Sequence, residues 1–98
     1  MSQQTNKDMK LGELLRALGA VEPADLTETV KLAVQVGLPL GRALVLSGHL
    51  NEDELDAALE VQALMKSGNL ALTVANKAFS MVRAGAPLQD ALEKAGWD

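Results

Sequence analysis

KLGELLRALGAVEPADL, residues 10–26, and PLGRALVLSGHLNEDEL, residues 39–55, are two versions of one pattern. At an offset of 29, Leu11 matches Leu40, Gly12 matches Gly41, Leu15 matches Leu44, Gly19 matches Gly48, Val21 matches Leu50 and Leu26 matches Leu55. Each copy reads as a short helix, a glycine turn and the start of a longer helix. In the first copy Leu11, Leu14, Leu15 and Leu18 fall at i, i+3, i+4 and i+7, one face of a helix. A third copy begins 48 residues beyond the second: GAPLQDALEKAGWD at 85–98 repeats GLPLGRALVLSGHL at 37–50. Leu88, Ala91, Leu92 and Gly96 keep their places, and Gln89 replaces the glycine. One such unit cannot bury its own apolar stripe, so neighbours must stack. The third copy stops after its short helix and reads as a cap. Leu15, Leu44 and Leu92 are therefore expected in a shared core.

Working outward, glycine and proline punctuate the whole chain. Gly19, Gly37, Gly48, Gly68, Gly85 and Gly96 each follow an apolar-periodic segment, where glycine takes the left-handed conformation that ends a helix. Pro23, Pro39 and Pro87 each precede one, as expected of a first helical residue. Six stops give six helices, at 10–18, 23–36, 39–47, 51–66, 70–84 and 87–95. The second carries Leu26, Val30 and Ala33 as its core stripe, and the third Leu40, Ala43 and Leu44. The fourth opens on Asn51 with Glu54 three residues later, a capping box, and lines its core face with Leu55, Ala58, Leu59 and Met65. The fifth has one polar stripe, Thr73, Asn76, Lys77, Ser80 and Arg83, and is apolar elsewhere, which predicts a central helix. No segment alternates long enough for a strand. The expected fold is all-α, a six-helix bundle of tandem helix–turn–helix repeats. A disordered tail at 1–9 is expected to precede a single helical domain at 10–98, with repeats at 10–33 and 39–62 and a partial one at 85–98.

Composition removes several function classes. The chain has 98 residues, 48% hydrophobic and 22% charged, a net charge of −4, one His and no Cys. Disulfides and thiolate metal sites are excluded. The charge opposes DNA binding, because no helix carries the basic cluster that phosphates demand. No cofactor, metal or catalytic constellation is recognisable, so an enzyme is not expected. The longest uncharged runs, between Lys31 and Arg42 and between Lys66 and Lys77, are ten residues each, about half a membrane span. Met1–Lys7 is polar and lacks the apolar core of a secretory signal, so a cytoplasmic location is expected.

The repeat resembles the N-terminal domain of the type II secretion and type IV pilus assembly ATPases of bacteria. In the branch named for the mannose-sensitive haemagglutinin pilus ATPase, a 24-residue unit occurs twice around a five-residue spacer. That unit runs Arg-Leu-Gly, a glycine turn, two leucines and a closing Gln. Here the units would be Lys10–Ala33 and Pro39–Gln62, with Val34–Leu38 as spacer. The resemblance implies a helical fold more firmly than a ligand. For that branch it also implies cyclic di-GMP binding, through Lys10, Leu11, Gly12, Leu40, Gly41, Arg42 and Gln62. Lys10 and Pro39 stand where the motif has Arg, and Ala33 where its first unit has Gln. Lys grips phosphate less well than the forked guanidinium, and Pro not at all.

Individual residues allow more than one use. Gly12 and Gly41 end no helix, so each admits a close approach, either of a ligand to a helix N-terminus or of a neighbouring helix. The missing arginines favour the neighbouring helix. Gln62 lies within the apolar stripe of the fourth helix and must find a hydrogen-bond partner, either a ligand or a backbone group near a glycine turn. His49 and the acids Glu52, Asp53, Glu54 and Asp56 lack the spacing of a zinc or calcium site and read as a turn and a helix start. Lys66, Lys77 and Arg83 form a basic stretch without acids, and with Trp97 they are the candidate interaction surface. Trp97 also suits an anchor for the last turn. The expected function is a non-enzymatic protein–protein interaction or adaptor module, its partner another protein or a second copy of itself. The alternative is a cyclic di-GMP sensor.

Overall fold

The computed structural model describes residues 9–97. Most of the expected tail, residues 1–8, lies outside them, as does Asp98. The described chain forms six helices and no strand: α1 (Leu11–Ala17), α2 (Pro23–Val36), α3 (Leu40–Leu46), α4 (Glu52–Lys66), α5 (Leu72–Arg83) and α6 (Leu88–Lys94). It is an all-α helical bundle. All six helix-ending glycines have positive φ, from 72° to 109°. Behind them the three short helices close alike. The carbonyls of Leu15, Leu44 and Leu92 accept the N–H groups of Ala20, His49 and Trp97 at 2.9, 3.0 and 2.9 Å, the wide bond of a Schellman turn.

The prolines divide. Pro23 is the first residue of α2, but Pro39 and Pro87 sit one step earlier, as the N-caps of α3 and α6. Their φ values of −61° and −62° suit either position, and ψ near 150° keeps them outside the helix. An N-cap N–H needs an acceptor, and proline removes that need. Lys10, the N-cap of α1, shows the alternative: its N–H donates to Glu13 Oε1 at 2.9 Å. Asn51 caps α4 as expected, accepting from the Glu54 N–H at 2.7 Å and donating its own N–H to Glu54 at 2.9 Å.

The bundle is a slab of 40 × 38 × 19 Å, about two helices thick. Its core joins α1, α3, α4, α5 and α6. Phe79, Leu14, Leu15, Leu44, Leu92 and Val61 are its largest fully buried side chains, so the three leucines expected together share one cluster. α5 is central: it packs on α4 and α6 and bonds to α1 through side chains. Its polar stripe is not merely solvated. Asn76 Nδ2 donates to the Ala17 carbonyl at 3.1 Å, and an Arg83 Nη donates to the Gly19 carbonyl at 3.0 Å. Those carbonyls close α1, where a helix leaves acceptors without intrahelical partners.

α2 differs from the rest. It packs on α3 and, more lightly, on α1, and buries only Thr29 and Ala33. Val30, expected in the core, is 43% exposed, and so is Leu59 of α4 at 44%. Periodicity placed both on an apolar face correctly, but no neighbour reaches the edge of either face.

Candidate functional site

The residues that the ligand motif would use are brought to one region and then engaged within the fold. A Cβ on Gly12 would lie 3.3 Å from a methyl of Leu40 and 3.6 Å from one of Leu26. A Cβ on Gly41 would lie 2.7 Å from a methyl of Leu55 and 3.5 Å from one of Leu11. Leu11 covers Gly41 while Leu40 covers Gly12, and Leu26 and Leu55 do the same for the glycine of their own copy. The glycines admit leucine side chains between helices.

The polar members are committed too. Arg42 meets Glu52 in a two-pronged contact at 2.9 and 2.7 Å, which draws the Glu52 carboxyl below its ordinary range and the guanidinium above its own. Gln62 Nε2 donates to the Met9 carbonyl at 3.1 Å. Its partner is a backbone carbonyl, as one reading of the sequence held, but at the entry to α1 and not at a glycine turn. The Lys10 side chain is exposed. A nucleotide gripped here would have to free Arg42 from Glu52 and Gln62 from Met9.

The basic stretch does not converge either. Lys66 ends α4, whereas Arg83 lies at the far end of the α4–α5 hairpin, its Nε 3.6 Å from Glu54 in the first turn of α4. Lys77 is exposed on α5. Trp97 is half-buried against the core, and its indole N–H donates to the Asn69 carbonyl at 2.7 Å, the geometry of an anchor. Among the described residues no group of His, Asp or Glu is placed to hold a metal ion.

The described residues also form open grooves. An open groove of about 610 Å³ runs between the start of α4 and the α5–α6 turn, where Asp53, Asp56 and Glu60 face Arg83. A smaller one, about 380 Å³, runs along α2 beside the α3–α4 turn and is lined by Glu28, Thr29, Leu32, Gln35 and His49. His49 Nδ1 stands 4.0 Å from Asp25 Oδ2 at its end.

The second groove borders the most exposed apolar surface among the described residues. Leu32 is 38% exposed, Val36 54% and Val34 77%, and Leu46 on neighbouring α3 is 73% exposed. At 100° per residue, Leu32 and Val36 lie on one flank of α2 and Val30 and Val34 on the other, with buried Thr29 and Ala33 between them. This surface escaped the reading of individual residues, because an aliphatic run in an amphipathic helix looks the same whether or not a neighbour covers it. No single described helix is long and apolar enough to cross a membrane, although α2 and α3 together, bent by 109°, match the length and composition. No protein-family model, curated protein or solved structure matches the chain.

Proposed function

We propose that this chain is a non-enzymatic protein–protein interaction module, acting as an adaptor or as the docking domain of a larger assembly such as the secretion and pilus ATPases its repeats resemble. Its docking surface is α2. The observation that supports this reading is the pair of exposed aliphatic flanks on a helix that buries only two residues. An apolar helix face left in water is a cost to an isolated domain, and a partner that covers it recovers about 25 cal/mol per Å² of apolar area.

The test is capture of a partner, with its stoichiometry from size-exclusion chromatography and light scattering. The wild-type chain is expected to form a defined complex that Val34→Glu or Leu32→Glu weakens. A strict monomer that retains no partner, or a complex indifferent to both substitutions, overturns the reading. Calorimetry with cyclic di-GMP separates it from nucleotide sensing: heat that saturates and is lost in Gln62→Ala would favour the sensor.

A further inference from the structure

α4 is the counterpart of α2 at the offset of 29, and it shows what covers such a helix. Along their shared faces the two helices are matched. Thr29 and Ala58 are buried at 3% and 0%, and Val30 and Leu59 are exposed at 43% and 44%. The largest differences lie on one flank. Val61 and Met65 of α4 are 0% and 2% exposed, while their counterparts Leu32 and Val36 are 38% and 54% exposed. Ala57 is buried, and its counterpart Glu28 is exposed.

The flank Glu54–Ala57–Val61–Met65 is where α5 lies. Arg83 near the end of α5 stands beside Glu54, and Val61 and Met65 share the core cluster with Ala75, Ala78, Phe79 and Val82 of α5. Because Arg83 ends α5 while Glu54 begins α4, the two helices run antiparallel. On α2 the same flank reads Asp25–Glu28–Leu32–Val36, and no helix covers it. We propose that this flank seats an amphipathic helix of another protein, antiparallel to α2, with aliphatic residues on Leu32 and Val36 and basic residues in its last turns facing Asp25 and Glu28.

The charges select this occupant. Lys31 and His49 border the groove along this flank, but Asp25 keeps the acid of Glu54 and Glu28 adds a second where α4 has alanine, so the incoming helix is expected to bring the cation that Arg83 supplies to α4. Basic residues in its last turn are also favoured by its own dipole. A second copy of α2 fits poorly. Laid antiparallel and end to end, it sets Asp25 against Val36, which desolvates the carboxylate and adds no cation to the His49 that stands 4.0 Å from it. A lipid surface fits poorly as well, because anionic headgroups repel the two acids.

The proposal rests on α2 being the docking surface. The probe that tests it is a fluorescein-labelled peptide of Leu70–Ala86, an α5 mimic that carries Lys77 and Arg83 and no acid. Titrated against the full chain by anisotropy, it is expected to bind saturably. Leu32→Glu and the pair Asp25→Lys/Glu28→Lys are expected to weaken it by about tenfold or more, and Val30→Glu on the opposite flank by less than about twofold. The same peptide with Arg83→Glu is expected to regain affinity for the lysine pair, a rescue that a misfolded variant could not show. Absence of saturable binding overturns the proposal, as does binding that Leu32→Glu leaves intact. A dimer by light scattering that Leu32→Glu dissolves assigns the flank to a second copy and overturns it too, as does co-sedimentation with phosphatidylserine vesicles that the same change abolishes. Loss on Val34→Glu but not on Leu32→Glu also overturns it, while leaving α2 as a docking surface. If α2 docks nothing, the captured partner is indifferent to all of these substitutions, which separates the failure of the broader reading from that of this one.

Discussion

α2 and α4 follow one apolar pattern and meet opposite fates. Val61 and Met65 disappear beneath α5, and Leu32 and Val36, their counterparts, stay in water. Periodicity states which side of a helix is apolar; only the neighbours decide how much of that side is buried. The contrast is open to direct measurement at equivalent positions. Met65→Ala is expected to lower unfolding stability by about 2–4 kcal/mol, the usual cost of a cavity in a packed core. Val36→Ala is expected to change it by no more than about 0.5 kcal/mol. Urea unfolding followed by circular dichroism measures both. Equal effects would mean that α2 is covered in solution, for instance by self-association.

The three short helices extend the comparison to the Leu-Gly corner. Gly41 faces buried Leu55 at 2.7 Å, Gly12 faces half-buried Leu26 and Leu40 at 3.3 Å or more, and Gln89 in the third copy is exposed. No helix crosses α6 there, so nothing requires glycine. Alanine at position 41 must displace a packed leucine, while it gains about 1 kcal/mol of helix propensity. Gly41→Ala is therefore expected to be destabilising by about 1 kcal/mol net, and Gly12→Ala to be close to neutral. Equal values from thermal melts would show that the two corners are not packed with different tightness.

These contrasts also mark how far the sequence could be read. The six glycine stops were legible because a positive φ is a local demand that one residue type meets. The Asn51 cap was legible for the same reason. The leucines at 15, 44 and 92 were legible because the stripes that carry them repeat. Pro39 and Pro87 were misplaced by one residue, since φ near −60° serves the N-cap and the first helical position equally. The bonds from Asn76 and Arg83 to the end of α1 span 59 and 64 residues, and no local signal announces them. Exposure of the α2 flank was hidden for the same reason, being a property of the helix that is not there. The candidate ligand residues were drawn to one region by the repeat, but the sequence did not say that Glu52 and the Met9 carbonyl already hold Arg42 and Gln62.

The residue after each closing glycine gives a smaller contrast. Ala20, His49 and Trp97 make the same backbone bond, but only Trp97 adds a side-chain hydrogen bond, to the Asn69 carbonyl in the α4–α5 loop. Trp97→Phe keeps most of the ring and removes that donor. A loss of about 1 kcal/mol is expected, the net worth of one hydrogen bond near the surface. No loss in thermal or urea melts would mean that the ring alone anchors the last turn.

The smallest effect is expected where the two full copies diverge in charge. Glu13 and Arg42 are counterparts at the third residue of their helices. Glu13 turns back to the Lys10 N–H, but Pro39 offers no such donor, and Arg42 turns outward to Glu52. Hydrogen bonds from Arg42 hold the Glu52 carboxyl below its ordinary range, so the folded state binds its proton less readily than the unfolded chain. The stabilisation is then fully present above the ordinary carboxylate range and is lost as the pH falls through the lowered value. Both side chains are exposed, so salt screens the contact. Glu52→Gln is expected to melt slightly below the wild type at neutral pH and low salt, and to match it in acid or in concentrated salt. A gap that persisted under both conditions would assign the contact to packing of the two stems instead of to charge.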